Sequence, residues 1–283
     1  MRPKIALVLG GGGSRGIAHI GVLDVLVKEN IPIDFIVGTS MGAIVGGLFA
    51  FGLSPGTIAH NLGEMRGTNI FSMNIFSARA RQRDIQRKLA RVLGGKTFAD
   101  LRIPLFTMAV DMHTGEELTL HEGPIIPAIL ASSAVPAVFP PVEVNGRLLS
   151  DGGVIDSLAT HVAFDNGADV IIAVDVYPPL ESDDPWIDPV SAIMGLELPF
   201  TLFANTEWSK IPSMASSMWR ASRVMTWYLH QSRLKAYPPD VLLVPEVAEF
   251  ASLDFKDIDT LIESGRIAAE QQIDQIRALT ISK

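Results

Sequence analysis

Lys4-Ile5-Ala6-Leu7-Val8-Leu9, followed at once by Gly10-Gly11-Gly12-Gly13, decides the architecture of this chain. A compact apolar run stopped by glycines reads as a buried strand entering a tight loop. Gly16 to Glu29 then carries Ile17, Ile20, Leu23 and Val27, the spacing of a helix with one buried side. Ile33 to Val37 is a second short apolar run, bounded by Pro32 and Gly38, and a further helical run, Ala43 to Phe51, follows it. Strand, helix, strand, helix predicts a mainly parallel sheet covered by helices. Further strands are expected at Leu105 to Met112, Glu117 to His121, Val170 to Val176 and Val241 to Val244, with Asp257 to Leu279 closing the chain as a helix. Pro178 to Pro239 is poor in strands and reads as a helical insertion or cap.

The chain has 283 residues, 48% hydrophobic and 19% charged, which is enough to bury a core and unlike a disordered tail. It contains no cysteine, so disulfides, a thiol nucleophile and cysteine-based metal sites are excluded. A net charge of -8 argues against a nucleic-acid partner. Mean hydropathy of +0.29 is high for a soluble protein, and the one long uncharged run is Phe35 to Ala59. Six glycines and Pro55 within it favour strand, turn and helix over a membrane span. The short apolar run at the N-terminus lacks the length and cleavage pattern of an export signal. The expected address is the cytoplasm, with the inner face of a membrane as the peripheral alternative.

Gly38-Thr39-Ser40-Met41-Gly42 is a G-x-S-x-G placed between a strand and a helix. A serine at so sharp a turn projects its hydroxyl, and the helix start behind it offers free N–H groups to developing negative charge. The plainer alternative is an N-capping serine at a glycine-rich helix start. In the first loop, Gly11, Gly13 and Gly16 satisfy G-x-G-x-x-G, which also opens dinucleotide folds. That rival needs an acid at the far end of the next strand. Asp34 precedes the strand instead, and no Gly-Lys-Ser or Gly-Lys-Thr makes a phosphate loop. The remaining use of these bare amides is to stabilise an oxyanion. A nucleophilic serine needs a base, for which six histidines are available (His19, His60, His113, His121, His161 and His230), none in a recognisable catalytic setting. Asp151-Gly152-Gly153 is another candidate, or simply an acidic turn.

These three motifs, in this order, resemble the patatin-like phospholipases. The likeness runs through Asp100 to Leu105, Ala131-Ser132-Ser133-Ala134-Val135-Pro136, Phe139-Pro140-Pro141 and Gly167-Ala168-Asp169. It covers residues 4 to about 177 and departs at Ser157-Leu158-Ala159-Thr160. The resemblance implies an α/β three-layer sandwich with a central, mostly parallel sheet, forming a single acyl hydrolase domain over 1–283. It also implies a dyad without histidine, Ser40 as nucleophile and Asp151 as base. Gly11, Gly12, Gly13 and Met41 would surround the oxyanion hole, supported by Gly16, Gly38, Gly42, Gly152 and Gly153, with Arg15 a candidate headgroup contact or an ordinary surface arginine. The implied substrate is a fatty-acyl ester such as a phospholipid or lysophospholipid, with no metal or cofactor. Acyl transfer by the same dyad, or a catalytically silent lipid- or nucleotide-binding module, are the alternatives.

All four tryptophans (Trp186, Trp208, Trp219, Trp227) lie in the poorly matched segment. Between Glu207 and Asp240 there are five basic residues, Lys210, Arg220, Arg223, Arg233 and Lys235, and no acid. A second basic stretch spans Arg79 to Arg91. Met214, Met218, Ala221, Met225 and Tyr228 recur at helical spacing. The stripe is expected to pack into the core, the alternative being a face pressed onto anionic lipid. His121-Glu122 lacks the second histidine of a zinc helix, and Asp254, Asp257 and Asp259 read as acids at a helix start.

Overall fold

The computed structural model describes residues 2–63, 78–136, 138–180 and 214–280. Eight strands form one sheet: β1 (Ile5–Leu9), β2 (Phe35–Gly38), β3 (Leu105–Asp111), β4 (Glu117–Leu120), β5 (Val142–Val144), β6 (Arg147–Asp151), β7 (Val170–Val174) and β8 (Val241–Leu243). The strands β3, β2, β1, β7 and β8 are joined in parallel, and β4, β5 and β6 run antiparallel at the β3 end. The described helices are α1 (Ala18–Lys28), α2 (Met41–Phe51), α3 (Pro55–Gly63), α4 (Ala78–Leu93), α5 (Ile125–Ser132), α6 (Thr160–Asp165), α7 (Met214–Ala236), α8 (Ile258–Gln271) and α9 (Ile273–Thr280).

The three layers follow from strand periodicity. Along fully buried β1, Ile5, Leu7 and Leu9 join α1, α2 and α8 in one core. Ala6 and Val8 point the other way, onto Val162 and Ala163 of α6. The expected α/β sandwich is the observed one.

The pairing of β3 sets up the site. Thr107 pairs with Gly38 of β2 and with Leu120 of β4, so β2 and β4 lie on opposite edges of β3. Ala109 pairs with Leu118 of β4 and with Asp151 of β6, so β6 shares an edge with β2. The two strands therefore run head to head along one edge. Their C-terminal residues, Gly38 and Asp151, face β3 positions two residues apart, roughly 7 Å of strand. Ser40, two residues beyond Gly38, arrives at the level of Asp151.

Three expectations are corrected. The closing helix is broken at Gln272, whose side-chain amide donates to the Leu242 carbonyl at 2.9 Å. In α1, Val27 is half exposed and the buried stripe passes through Leu26. The methionine stripe of α7 is not in the core: Met214 is 80% exposed, and Met218, Met225 and Tyr228 are also exposed. The helix docks through a polar stripe on another side, because Arg223 donates to the carbonyls of Pro178 and Pro179, Thr226 bonds Tyr177, and His230 meets Asp175 at 2.9 Å. Trp186, Trp208 and Lys210 lie outside the described residues, as does most of the expected cap before α7; Trp219 and Trp227 are half-buried. Among the described residues, no helix is long and apolar enough to cross a membrane.

Candidate active site

Strand β2 delivers the chain into a turn that places Ser40 at φ 55 and ψ -119, a left-handed conformation rare outside glycine. Such a conformation costs of order 1–3 kcal/mol and persists only where the surroundings impose it. Ser40 occupies the position before the first turn of α2, yet its side chain makes no capping hydrogen bond. The carboxyl of Asp151 is its side-chain neighbour instead, close enough for the hydroxyl to pull the carboxyl's pKa down. No side-chain cap forms, which sets aside the capping serine of the two readings left open by the sequence.

The turn is tight because α2 begins almost on β1. A Cβ on Gly42 would stand 2.0 Å from the Leu9 carbonyl oxygen, so no larger residue fits there. A Cβ on Gly38 would stand 2.7 Å from the Gly42 carbonyl oxygen, and Gly16 lies under the Met41 side chain.

Asp151 ends β6 and is 4% exposed, beside a Ser40 that is 6% exposed. Gly153 N–H donates to Asp151 Oδ1 at 2.8 Å, while Gly152 packs against Met108. Burial raises the Asp151 pKa to about 6, against the opposing pull of the neighbouring Ser40 hydroxyl and the Gly153 amide. At neutral pH the group is mostly ionised and far more basic than a solvated aspartate.

His19 is the histidine nearest the glycine loop and is fully buried. Its Nε2 donates to the Gly10 carbonyl at 2.8 Å, which fixes the proton on that nitrogen. Burial lowers its pKa to about 4. Among the described residues, no hydrogen bond joins it to Ser40 or Asp151. His60, His113 and His121 are exposed, and His230 is committed to Asp175.

The glycine loop has engaged and bare amides. Gly10 N–H donates to Val174 and Gly11 N–H to the Ser157 carbonyl at 2.8 Å. Gly11, grouped with the oxyanion donors in the sequence, is thus occupied. Its role is close approach, since a Cβ there would lie 3.2 Å from that of Ser40. The N–H groups of Gly12, Gly13 and Met41 find no backbone acceptor among the described residues. Gly13 has φ 62, and a Cβ there would overlap the Ser252 carbonyl oxygen.

Arg15 is buried rather than a surface arginine, and donates to the Gly12 carbonyl at 3.2 Å and to Ser252 Oγ at 3.3 Å. These contacts brace the loop. Ser157, where the sequence leaves the family pattern, accepts Gly11 N–H and returns its own hydroxyl to the Gly11 carbonyl at 2.9 Å.

Sequence reasoning gave no role to the corner that ends α5. Ser132 Oγ accepts the Ser40 N–H at 3.0 Å, and Ser133 Oγ donates to the Ser40 carbonyl at 3.3 Å. The Ala134 carbonyl accepts both Ser150 Oγ at 2.6 Å and Asp151 N–H at 3.2 Å. Three consecutive residues thereby hold both polar groups of the strained Ser40 peptide and the backbone of its carboxyl partner. The signal was present, because Ala131-Ser132-Ser133-Ala134 carries paired serines at a helix end.

Residues 7–164, more than half of the chain, match the family described as patatin-like phospholipase. The chain belongs to that family. It is 38% identical over 176 residues to an uncharacterized NTE family protein of Mycobacterium tuberculosis, covering 61% of this chain and 49% of that one. It is 30% identical over 292 residues to the lysophospholipase NTE1 of Saccharomyces cerevisiae, covering 95% of this chain and 17% of the yeast protein. The crystal structure of VipD from Legionella pneumophila shares the fold, with a TM-score of 0.55 at 13% identity, over 97% of this chain and 67% of VipD. The chain thus spans half or less of the length of these two sequence relatives.

Proposed function

We propose that this chain is a serine acyl hydrolase of lysophospholipase or phospholipase A type, acting on fatty-acyl esters of lipids through Ser40 and Asp151. The observation that carries the reading is a strained, uncapped Ser40 standing beside a buried carboxyl whose pKa is about 6. The yeast relative is named a lysophospholipase, which favours a lipid ester among possible acyl substrates.

In this reading Asp151 accepts the Oγ proton as Oγ attacks the acyl carbonyl carbon. The oxyanion meets the N–H groups of Gly12, Gly13 and Met41, where one such donor is worth roughly 3 kcal/mol in the transition state. Collapse expels the alcohol, which regains the proton from Asp151. Water activated by the same carboxylate then releases the fatty acid from Ser40. The exposed Met218, Met225 and Tyr228 side of α7 is the face we assign to peripheral lipid contact.

The test is labelling by an alkyl fluorophosphonate, followed by mass spectrometry of fatty acid released from lysophospholipid and phospholipid. Labelling of Ser40 and fatty-acid release, both lost in Ser40→Ala, support the reading. Release that survives in Ser40→Ala contradicts it.

A further inference from the structure

We propose that His230 of α7 is a positioning residue for the glycine loop: through Asp175 it holds Val176 against Gly12, and so aims one oxyanion donor. The inference rests on the acyl-hydrolase reading and adds a distant residue that sets the rate of that same site.

The loop and the chain leaving β7 run side by side. Strands β1 and β7 pair as far as Leu9 and Val174, and Gly10 N–H then donates to the Val174 carbonyl at 3.0 Å. Two residues further on, Gly12 lies so close to Val176 that a Cβ there would stand 2.8 Å from both the Val176 carbonyl oxygen and its Cγ2. Val176 is buried in the main core, so contact this tight passes any shift of Val176 on to Gly12. The Gly12 N–H has no backbone acceptor among the described residues and is one of the three donors assigned to the oxyanion. On its other side the loop is tied separately, by Ser14 N–H to the Ser252 carbonyl at 2.7 Å.

Asp175 fixes Val176 from both ends of its carboxylate. Oδ1 accepts Tyr177 N–H at 2.9 Å and closes a tight turn around Val176, while Oδ2 accepts His230 Nε2–H at 2.9 Å. His230 is 3% exposed, and its Nδ1 is buried with no partner among the described residues. The ring therefore spends its one hydrogen bond on Asp175. Its face packs on Tyr177, with ring centroids 4.9 Å apart.

Helix spacing makes this a grip rather than a single contact. Arg223, Thr226 and His230 follow one another at three and four residues, so they share one side of α7. Arg223 donates to the Pro179 carbonyl at 3.0 Å, and Thr226 bonds the Tyr177 hydroxyl at 2.6 Å. The segment from Asp175 to Pro179 is thus held along its length by α7, and its Val176 reaches the loop. Without His230, a buried carboxylate loses its side-chain donor, and the turn that seats Val176 loosens.

The test uses p-nitrophenyl butyrate, a soluble ester that needs no lipid surface. His230→Ala should lower kcat by about 10- to 100-fold with KM within about twofold, since a displaced donor costs transition-state stabilisation rather than binding. His230→Gln, whose side-chain amide can donate to Asp175, should recover kcat to within about threefold of wild type. Arg233→Met cuts a different anchor of α7 and leaves Asp175 and Val176 untouched, so it should keep kcat within about twofold. An unchanged kcat in folded His230→Ala, a His230→Gln protein as slow as the alanine variant, or an equal loss in Arg233→Met overturns the assignment while leaving the hydrolase reading intact. Should His230→Ala fail to fold by circular dichroism, Tyr177→Phe, which loses only the Thr226 bond, should lower kcat by about three- to tenfold, and an unchanged kcat there overturns it.

A second readout needs no turnover. Amide hydrogen exchange of the peptide covering residues 9–17, followed by mass spectrometry, should be faster in His230→Ala than in the wild type and unchanged in Arg233→Met. If the wild type hydrolyses no ester, only the hydrolase reading falls, and this exchange decides whether His230 holds the loop. Loop exchange in His230→Ala equal to that of the wild type overturns it.

Discussion

Asp151 and Asp156 lie five residues apart and are almost equally buried, at 4% and 2% exposure, yet they occupy opposite electrostatic settings. Around Asp151 the structure places neutral donors, the Ser40 hydroxyl and the Gly153 amide. Around Asp156 it places cations: His161 Nδ1 lies 3.2 Å away and Arg233 3.9 Å, with Arg233 also 2.9 Å from Glu117. The Asp156 contact raises the pKa of His161, favouring its charged form. Glu117, Asp156 and His161 are ligand-type side chains close together, but the guanidinium already supplies positive charge there. In the reading proposed here, a dry carboxyl that meets no cation among the described residues acts as a base, while a dry carboxyl with one becomes a fastener.

The comparison is broken most severely by removing the dyad. Ser40→Ala and Asp151→Asn should each lower kcat/KM for a lipid ester by roughly three orders of magnitude or more, with folding retained by circular dichroism. His19→Ala should stay within about tenfold of wild type; a folded but dead His19→Ala protein would overturn the dyad.

A smaller effect is expected at the corner of α5. Ser132→Ala removes the acceptor for Ser40 N–H and should cut kcat by about 10- to 100-fold with little change in KM, since orientation rather than binding is lost. Ser133→Ala removes a longer bond and should do less. A pure rise in KM would argue against a positioning role for either serine.

Stability should move in the opposite direction from activity at Asp151. Its folded pKa of about 6 lies above the unfolded value of 3.8. The folded state is therefore favoured by the neutral acid, fully so below pH 3.8, and that advantage is lost as pH rises through 6. Asp151→Asn lacks this loss and should gain up to about 3 kcal/mol at pH 7.5, a rise in Tm of several degrees. The gain should shrink toward zero near pH 4. A destabilised variant at pH 7.5 would contradict the electrostatic account.

The gentlest change tests the contrasting region. Arg233→Met loosens the link from α7 to Glu117 and Asp156, and should cost about 1–3 kcal/mol in chemical denaturation. Activity on a soluble short-chain ester should stay within about twofold.

Much of this was legible in the residues. The glycine-stopped β1, the rhythm into β2 and the G-x-S-x-G turn each depend on local chemistry, and local chemistry is what a sequence displays. The β5–β6 hairpin was missed although Asn145-Gly146 marks it: both residues have positive φ, as a two-residue hairpin turn requires. Without that hairpin, Asp151 read as an isolated acidic turn rather than the end of a strand meeting β2 head to head. The clamp by Ser132, Ser133 and Ala134 spans 92 or 93 residues at Ser40, and such pairings carry no periodic signal. The α7 stripe misled for a related reason. A methionine repeat implies burial only when the opposite side is wetter, and here Arg223 and His230 are the buried side because partners await them across the fold.

The central claim is that Asp151, kept dry and without a cation, is the base for Ser40. The pH dependence of Ser40 labelling by a fluorophosphonate tests it directly, compared between the wild type, Asp151→Asn and His19→Ala. The account predicts a single ionisation near pH 6 that increases labelling as pH rises, absent in Asp151→Asn and unmoved in His19→Ala. An Asp151→Asn protein labelled at the wild-type rate, or an ionisation that disappears with the histidine, would contradict it.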